Sequence, residues 1–206
     1  MPICSERKLA FVHIPKTAGS SITRLLGMTT RDHFFEVNYT AYTVDGVTYA
    51  PQHLTPALLA DLVPDWDQYT TFCFTRHPYA KAVSEYYFLR KDIGHKRTRI
   101  FRKVRVFIEP LFRRWIRRQL ALKDMDHKLP QADYVAGCEH VFKYEELHDR
   151  WPEIAAVMGV SAEAKLPRVV VGRQNSERIA SRLSPKTKAL LQELYPDDFE
   201  ALGYAR

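Results

Sequence analysis

Residues 11–21 read FVHIPKTAGSS, an apolar strand pattern that runs into a short loop of lysine, threonine, glycine and serine. An apolar helix pattern follows at once, so we predict a strand over 8–14 and a helix over 20–28. Backbone N–H groups at such a junction can point at one anion, a lysine adds a full charge, and a glycine lets the backbone approach closely. The residues predicted to bind this phosphate-like anion are Lys16, Thr17, Ala18, Gly19, Ser20 and Ser21.

This loop differs from the Walker A sequence of ATP- and GTP-binding proteins. Walker A requires G-x-x-x-x-G-K-[ST], with its lysine at the helix end of the loop. Here Lys16 precedes Gly19, and no second glycine lies upstream. The order weakens an ATP- or GTP-binding interpretation, although a P-loop-like nucleotide kinase stays an alternative. An ordinary polar turn, in which Ser20 or Ser21 caps the helix, is a further alternative.

A second junction of strand and helix lies at residues 69–88, which read YTTFCFTRHPYAKAVSEYYF. The β-branched and aromatic residues 69–75 predict a buried strand, and the proline that follows fits the first turn of a helix. Arg76 stands where the strand ends, and Ser84 lies about two turns into the helix. Because ligands of open α/β sheets bind at the carboxyl ends of strands, Arg76 and Lys16 are expected to face one crevice.

Strands alternate with helices along the whole chain, which predicts an α/β fold with a P-loop-NTPase-like central parallel sheet flanked by helices. The 206 residues are expected to form a single domain, 1–206, with a basic helical insertion at about 90–122. The remaining predicted elements are a hairpin turn at 44–47, a helix from 55 to about 63, a strand at 141–144, a helix to about 158 and a helix from 184 to about 195.

The two junctions resemble the donor-binding motifs of sulfotransferases that use 3′-phosphoadenosine-5′-phosphosulfate (PAPS). IPKTAGSS, residues 14–21, resembles the 5′-phosphosulfate loop, and RHPYAKAVSEY, residues 76–86, resembles the 3′-phosphate motif R-x-P-x-x-R-x-x-S-x-Y. The chain is most similar to soluble bacterial-type members of the carbohydrate branch, which includes heparan sulfate 2-O-sulfotransferases. Lys81 stands where the motif has arginine, and His77 where an acidic or amide residue is common.

This resemblance implies the sulfotransferase fold and an enzyme that moves a sulfuryl group from PAPS to an acceptor hydroxyl, expected to belong to a carbohydrate. Lys16 would stabilise the leaving phosphate, and Arg76 with Ser84 would hold the 3′-phosphate. The product would be adenosine 3′,5′-bisphosphate. No metal is expected, because the leaving group is a stable nucleotide phosphate.

His53 is the candidate catalytic base, since its segment resembles one that carries a catalytic histidine in the 2-O-sulfotransferases. A neutral imidazole suits proton abstraction near neutral pH. The alternatives are that His53 only caps the next helix, or that His33, His77 or His127 is the base. The segment HKLPQ resembles an H-x-x-P-Q segment of carbohydrate sulfotransferases, so His127 and Gln131 are expected to touch the acceptor.

The positive charge is concentrated in residues 90–118, which hold 12 of the 31 Lys and Arg but 2 of the 24 Asp and Glu. The segment could be an amphipathic helix pair with a solvated basic face, or a surface that binds an anionic acceptor or an anionic membrane. A non-enzymatic adaptor that binds nucleic acid or anionic membranes through it stays an alternative. Specific nucleic-acid binding is not expected, because no recognition motif accompanies the charge.

The remaining composition favours a cytoplasmic protein. The first residues lack the apolar stretch of a signal peptide, and no run of about 18 apolar residues predicts a transmembrane helix. Three widely spaced cysteines, an odd number, are typical of a reducing compartment and do not form a metal-binding pattern.

Overall fold

The computed structural model describes residues 2–28, 41–93, 107–167 and 175–206, with the backbone alone for 90–93. The chain divides into two compact units. The first consists of Met1–Arg76 and Asp124–Val171, and the second of His77–Lys123 and Gly172–Arg206. The predicted single domain stays a prediction, and the predicted basic insertion lies partly outside the described residues. No helix among the described residues is long and apolar enough to cross a lipid bilayer.

All the described strands belong to the first unit. They are β1 (Ile3–Cys4), β2 (Leu9–Val12), β3 (Tyr42–Val44), β4 (Val47–Tyr49), β5 (Thr70–Thr75) and β6 (His140–Lys143). Four of them form a sheet in the order β1-β2-β5-β6, while β3 and β4 form the predicted hairpin. The strands β2, β5 and β6 run parallel, which confirms the central parallel sheet. The edge strand β1 runs antiparallel to β2 and was not predicted.

The helices alternate with the strands in the first unit and make up the second. In chain order they are α1 (Gly19–Leu25), α2 (Pro56–Leu62), α3 (Pro78–Ile93), α4 (Glu109–Arg118), α5 (Ala132–Val135), α6 (Trp151–Met158), α7 (Ser176–Ser181), α8 (Pro185–Leu194) and α9 (Pro196–Glu200). Proline stands in the first turn of several of them, where its missing N–H has no helical partner to lose.

The sheet of the first unit is covered on both faces, because successive residues of a strand point in opposite directions. In β2, Leu9 and Phe11 join one apolar cluster, and Ala10 and Val12 join the other. The first cluster includes residues of α1 and α6, and the second includes residues of α2, α5 and the hairpin. This two-sided burial explains why neither β2 nor β5 shows alternating apolar and charged residues in the sequence.

The second unit is a helical cluster with an aromatic centre. The ring of Tyr86 in α3 lies 5.1 Å from that of Phe112 and 5.3 Å from that of Trp115, both in α4. The carboxylate of Glu109 accepts hydrogen bonds from Ser184 and Thr187. The start of α4 is thereby tied to the start of α8.

Candidate active site

The loop between β2 and α1 has an unusual backbone. Lys16 and Ala18 adopt left-handed conformations, with φ of 68° and 73°. Such residues are uncommon outside glycine, and backbones that mix right- and left-handed residues form concave nests of N–H groups that bind anions. Ala18 occupies the cap position of α1, and among the described residues no side chain caps the helix. The alternative in which Ser20 or Ser21 acts as the cap is therefore wrong.

The hydroxyl groups of the loop serve different purposes. Thr17 is fully buried, and its Oγ1 donates a hydrogen bond to the carbonyl of Ile14 at 2.8 Å. This hydrogen bond closes the loop on itself, so the Thr17 hydroxyl is already engaged within the loop. Ser20 is exposed, and Ser21 and Lys16 are half-buried.

Gly19 is required by the packing of a neighbouring side chain. A Cβ atom at this position would lie 1.7 Å from Nε2 of His13, so the imidazole occupies the space of a side chain. The His13 ring also stacks on Phe11, with centroids 5.4 Å apart. Burial lowers the pKa of His13 well below its usual value, and the charges of His53 and His127 lower it further. His13 is therefore a neutral histidine packed behind the loop.

Arg76 joins the end of β5 to this loop. Its Nη1 donates a hydrogen bond to the carbonyl of Lys16 at 3.0 Å, and its guanidinium lies 4.9 Å from the centre of the Tyr144 ring. The side chain is buried, with 9% of the residue exposed. The two strand ends singled out by the sequence thus meet in the first unit.

The side-chain amide of Gln131 binds the backbone of Arg76 through both its oxygen and its nitrogen. Its Oε1 accepts a hydrogen bond from the Arg76 N–H at 2.8 Å, and its Nε2 donates one to the Arg76 carbonyl at 2.7 Å. Gln131 is fully buried. Its amide is engaged by the backbone of Arg76, and the expected contact of Gln131 with an acceptor stays a prediction.

His53 is held by a carboxylate that sequence reasoning missed. Its Nδ1 lies 2.8 Å from Oδ2 of Asp126, and both residues are buried. The helix that follows is capped by Thr55, whose Oγ1 accepts a hydrogen bond from the N–H of Leu58. His53 is therefore not the cap of α2. In the sequence, the signal that could have identified Asp126 was its position directly before the candidate residue His127.

Two further imidazoles lie against the His53 ring. The ring of His53 meets that of His13 at 4.7 Å and that of His127 at 5.0 Å, both edge to face. Burial is the largest single influence on the pKa of Asp126 and acts to raise it, but the hydrogen bond with His53 and further contributions together hold the pKa below its usual value. The charges of His53 and His127 and the N–H of Ala50 act in the same direction. The structure thus brings His53 and His127 together beside an ionised carboxylate.

The family of the chain follows from a direct comparison. The model of the sulfotransferase family matches residues 1–205. The protein belongs to the sulfotransferase family. Neither the curated proteins nor the solved structures gave a match to the chain. The mixed α/β architecture, with a parallel sheet between helices, agrees with the sulfotransferase fold.

The histidine cluster of this sulfotransferase also has the composition of a metal site. Ligand atoms of His53, Asp126 and His127 lie within 4.8 Å of one another. Both oxygens of the carboxylate already accept hydrogen bonds from backbone N–H groups, Oδ2 from Ala50 and Oδ1 from His127. A metal ion would have to compete with these donors, and the expected absence of a metal stays a prediction.

The other predicted donor-site residue of the sulfotransferase, Ser84, lies in the second unit. It is a half-buried residue of α3, and its role at the 3′-phosphate stays a prediction. Lys81, one turn earlier, is buried and lines a small gap together with Glu85 and Asp198. Lys81 replaces the arginine of the family motif. Because it shares the gap with two buried carboxylates, we interpret Lys81 as part of a structural network of charged groups.

The remaining candidates for the base are His77 and His33. His77 packs in the second unit against the rings of Tyr79 and Tyr204, at 4.9 Å and 5.2 Å. His33 lies outside the described residues.

In the basic segment, α4 buries Trp115 and Ile116 and exposes Arg114, Arg117 and Arg118. This fits the amphipathic pattern, while the part before residue 107 is not described.

Proposed function

We propose that this sulfotransferase moves a sulfuryl group from PAPS to a hydroxyl of a carbohydrate acceptor. The observation that carries the proposal is the hydrogen bond from Arg76 to the carbonyl of Lys16 at 3.0 Å. It joins the two segments that resemble the 5′- and 3′-phosphate motifs of PAPS-dependent enzymes. Membership of the family supports sulfuryl transfer over the nucleotide-kinase and adaptor alternatives.

The residues of the first unit fit an anionic donor. The loop offers a left-handed backbone at Lys16 and Ala18 and an uncapped helix start, to which Lys16 and Arg76 add two positive charges. The groups that would hold the 5′-phosphate are the Lys16 ammonium and the backbone of residues 17–21. Arg76 and Ser84 would hold the 3′-phosphate. When bound, PAPS supplies an activated sulfuryl group attached to a nucleotide phosphate.

The protein contributes charge stabilisation and a base. The Lys16 ammonium would neutralise the negative charge that develops on the leaving oxygen. In a preformed site, the charged group does not have to move or shed water during the reaction, so this stabilisation carries no reorganisation energy. His53 would accept the proton of the acceptor hydroxyl at Nε2, because its Nδ1 is engaged by Asp126. His127, next to His53, is the candidate contact to the acceptor.

The acceptor class and the location rest on sequence similarity, surface charge and cysteine usage. Similarity to the carbohydrate branch supports a sugar hydroxyl, and the exposed arginines of α4 suit an anionic acceptor or an anionic membrane surface. The odd number of cysteines supports a location in the cytoplasm.

Isothermal titration calorimetry with adenosine 3′,5′-bisphosphate tests the donor assignment. We expect binding that is at least tenfold tighter than that of 5′-AMP, since a second phosphate contact is worth roughly 1.5–3 kcal/mol. Equal affinity for the two nucleotides, or no binding of either, would refute PAPS as the donor.

A further inference from the structure

Residues 126–131 form a buried turn between the strands of the first unit, and we call it the positioning segment. Asp126 stands at its start with 2% of its surface exposed, and Gln131 at its end with none. The first contacts His53 and the second contacts Arg76. One short segment therefore reaches both the proposed base and the arginine at the donor loop.

The carboxylate of Asp126 has a fixed orientation. Oδ1 accepts a hydrogen bond from the N–H of His127 at 2.7 Å, and Oδ2 accepts one from the N–H of Ala50 at 2.8 Å. The carbonyl of Asp126 accepts a further bond from the Tyr134 hydroxyl at 3.1 Å. Side chain and backbone are thus anchored independently of His53.

This orientation determines which nitrogen of His53 carries the proton. An ionised carboxylate only accepts hydrogen bonds, so Nδ1 of a neutral His53 must be the protonated nitrogen. Its Nε2 then holds the lone pair that a general base needs. After the proton is taken up, the negative charge of Asp126 stabilises the imidazolium, as the carboxylate does in a serine protease triad.

Gln131 performs the corresponding task for Arg76. Its two hydrogen bonds, at 2.8 Å and 2.7 Å, copy the pairing of a neighbouring strand at the end of β5. They fix the backbone from which the guanidinium extends to Lys16 and Tyr144. A fully buried amide is costly unless both of its ends are paired, so this residue is committed to holding Arg76.

We infer that Asp126 and Gln131 are positioning residues of the transfer reaction, Asp126 for the base and Gln131 for the donor site. The inference rests on the proposed function. The two residues are five positions apart in the sequence but are assigned different effects, one on proton transfer and one on donor binding. Loss of Asp126 should impair proton transfer and leave donor affinity intact, whereas loss of Gln131 should impair donor affinity and leave the base unchanged.

The first test replaces Asp126 by asparagine, with Asp124→Asn as the matched control. Asp124 lies two residues away and pairs with Lys128 rather than with a histidine. We expect Asp126→Asn to lower kcat by roughly 10²- to 10⁴-fold, as when a triad aspartate is lost. We also expect the acid limb of the kcat/KM profile to move to lower pH, and the affinity for adenosine 3′,5′-bisphosphate to stay constant. A wild-type kcat and pH profile would overturn the assignment.

The titratable groups next to His53 also influence the pH dependence of activity. They are Asp126 and His127 from the positioning segment and His13 from the end of β2. The double variant His127→Gln/Asp126→Asn, compared with His127→Gln alone, isolates the contribution of the carboxylate. If the acid limb does not move between these two proteins, Asp126 does not act on the base.

The second test replaces Gln131 by methionine, which keeps the length of the side chain and removes both hydrogen bonds. We expect the affinity for adenosine 3′,5′-bisphosphate to fall roughly 10- to 100-fold, because a small displacement of Arg76 is enough to weaken its contact. The acid limb of the pH profile should remain in place. Unchanged affinity in folded Gln131→Met, verified by circular dichroism, would refute the role of Gln131.

If the variants at Asp126 or Gln131 fail to fold, a measurement on the wild-type protein still tests the role of Asp126. ¹⁵N NMR of the histidine rings at neutral pH, with His53 assigned through His53→Gln, reports which nitrogen is protonated. We expect the Nδ1–H form, and an Nε2–H form would overturn the role of Asp126 whether or not the protein uses PAPS. Conversely, failure of the wild type to bind adenosine 3′,5′-bisphosphate refutes the proposed function without affecting the tautomer.

Discussion

The imidazole of His13 fills the space that a side chain at Gly19 would need. A Cβ atom at Gly19 would lie 1.7 Å from Nε2 of His13, far inside van der Waals contact. The ring belongs to the residue after β2, and the glycine is the first residue of α1. The strand, the loop and the helix start are therefore locked together by one buried contact.

We expect Gly19→Ala to damage this junction. The added methyl group must displace the His13 ring or the start of α1, and such overpacking costs roughly 1–3 kcal/mol. Urea unfolding should show this loss, and calorimetry should show weaker binding of adenosine 3′,5′-bisphosphate. The double variant Gly19→Ala/His13→Ala should recover part of the stability, since the clash is removed. Strictly additive losses in the double variant would show that the two residues do not interact.

Ala18→Gly provides the opposite change at the neighbouring position. Ala18 has a left-handed backbone with φ of 73°, a conformation that costs roughly 1 kcal/mol for a residue with a Cβ atom. Glycine removes this cost, although it also increases the entropy of the unfolded chain. We expect Ala18→Gly to be at least as stable as the wild type in urea unfolding. A clear destabilisation would mean that the loop is not strained at this residue.

Lys16→Ala should lower turnover without unfolding the protein. Removing one preformed group that stabilises developing charge costs about 10²- to 10³-fold in kcat. Lys8→Ala is the matched control, because Lys8 is a second left-handed lysine of the same unit, with φ of 45°, and lies over the Tyr69 ring. Steady-state sulfuryl transfer and thermal unfolding should be measured for both. An equal loss of activity in the two variants would remove the special role of Lys16.

The elements that the sequence predicted correctly are those with strong local signals. The strand β2 is a continuous apolar run and β5 consists mostly of β-branched and aromatic residues. The helices α2 and α8 begin with a cap residue and a proline. The two residues of β1 are too few to show a periodic pattern, and α7 has six residues. For α7, the cap residue Asn175, which accepts a hydrogen bond from the N–H of Arg178, was the available signal.

The candidate site could be predicted only in part, because its partners are distant in the chain. Lys16 and Arg76 stand at strand ends, a position that the pattern reveals. Asp126 is separated from His53 by 73 residues, and Gln131 from Arg76 by 55. These contacts arise from tertiary packing, so no local pattern contains them. Likewise, the need for Gly19 appears only once the His13 ring is placed behind it.

Removal of metal ions should leave turnover unchanged. The carboxylate of Asp126 is engaged by two backbone N–H groups and by Nδ1 of His53, which leaves it a poor ligand for a competing cation. We expect the protein to retain full sulfuryl-transfer activity after dialysis against EDTA, measured against an undialysed sample. A loss of activity that added Zn²⁺ restores would instead identify His53, Asp126 and His127 as a metal site.

The buried histidine behind the loop should make stability depend on pH. Burial lowers the pKa of His13 well below its usual value, whereas an unfolded histidine titrates near pH 6.5. Below about pH 6.5 the unfolded chain therefore binds a proton that the folded protein does not, and stability falls as the pH is lowered. For this one group the slope approaches about 1.4 kcal/mol per pH unit. The depressed pKa of Asp126 acts in a separate window, since its contribution is lost only below about pH 4.

Urea unfolding at pH values between 5 and 8 isolates the contribution of His13. We expect His13→Gln to lower the overall stability, because the ring is lost beside Gly19, but to reduce the slope below pH 6.5. His148→Gln is the matched control, since it removes an exposed histidine of the same unit and leaves the contact between His13 and Gly19 in place. If His13→Gln keeps the full slope of the wild type, His13 is not the group that couples protonation to unfolding.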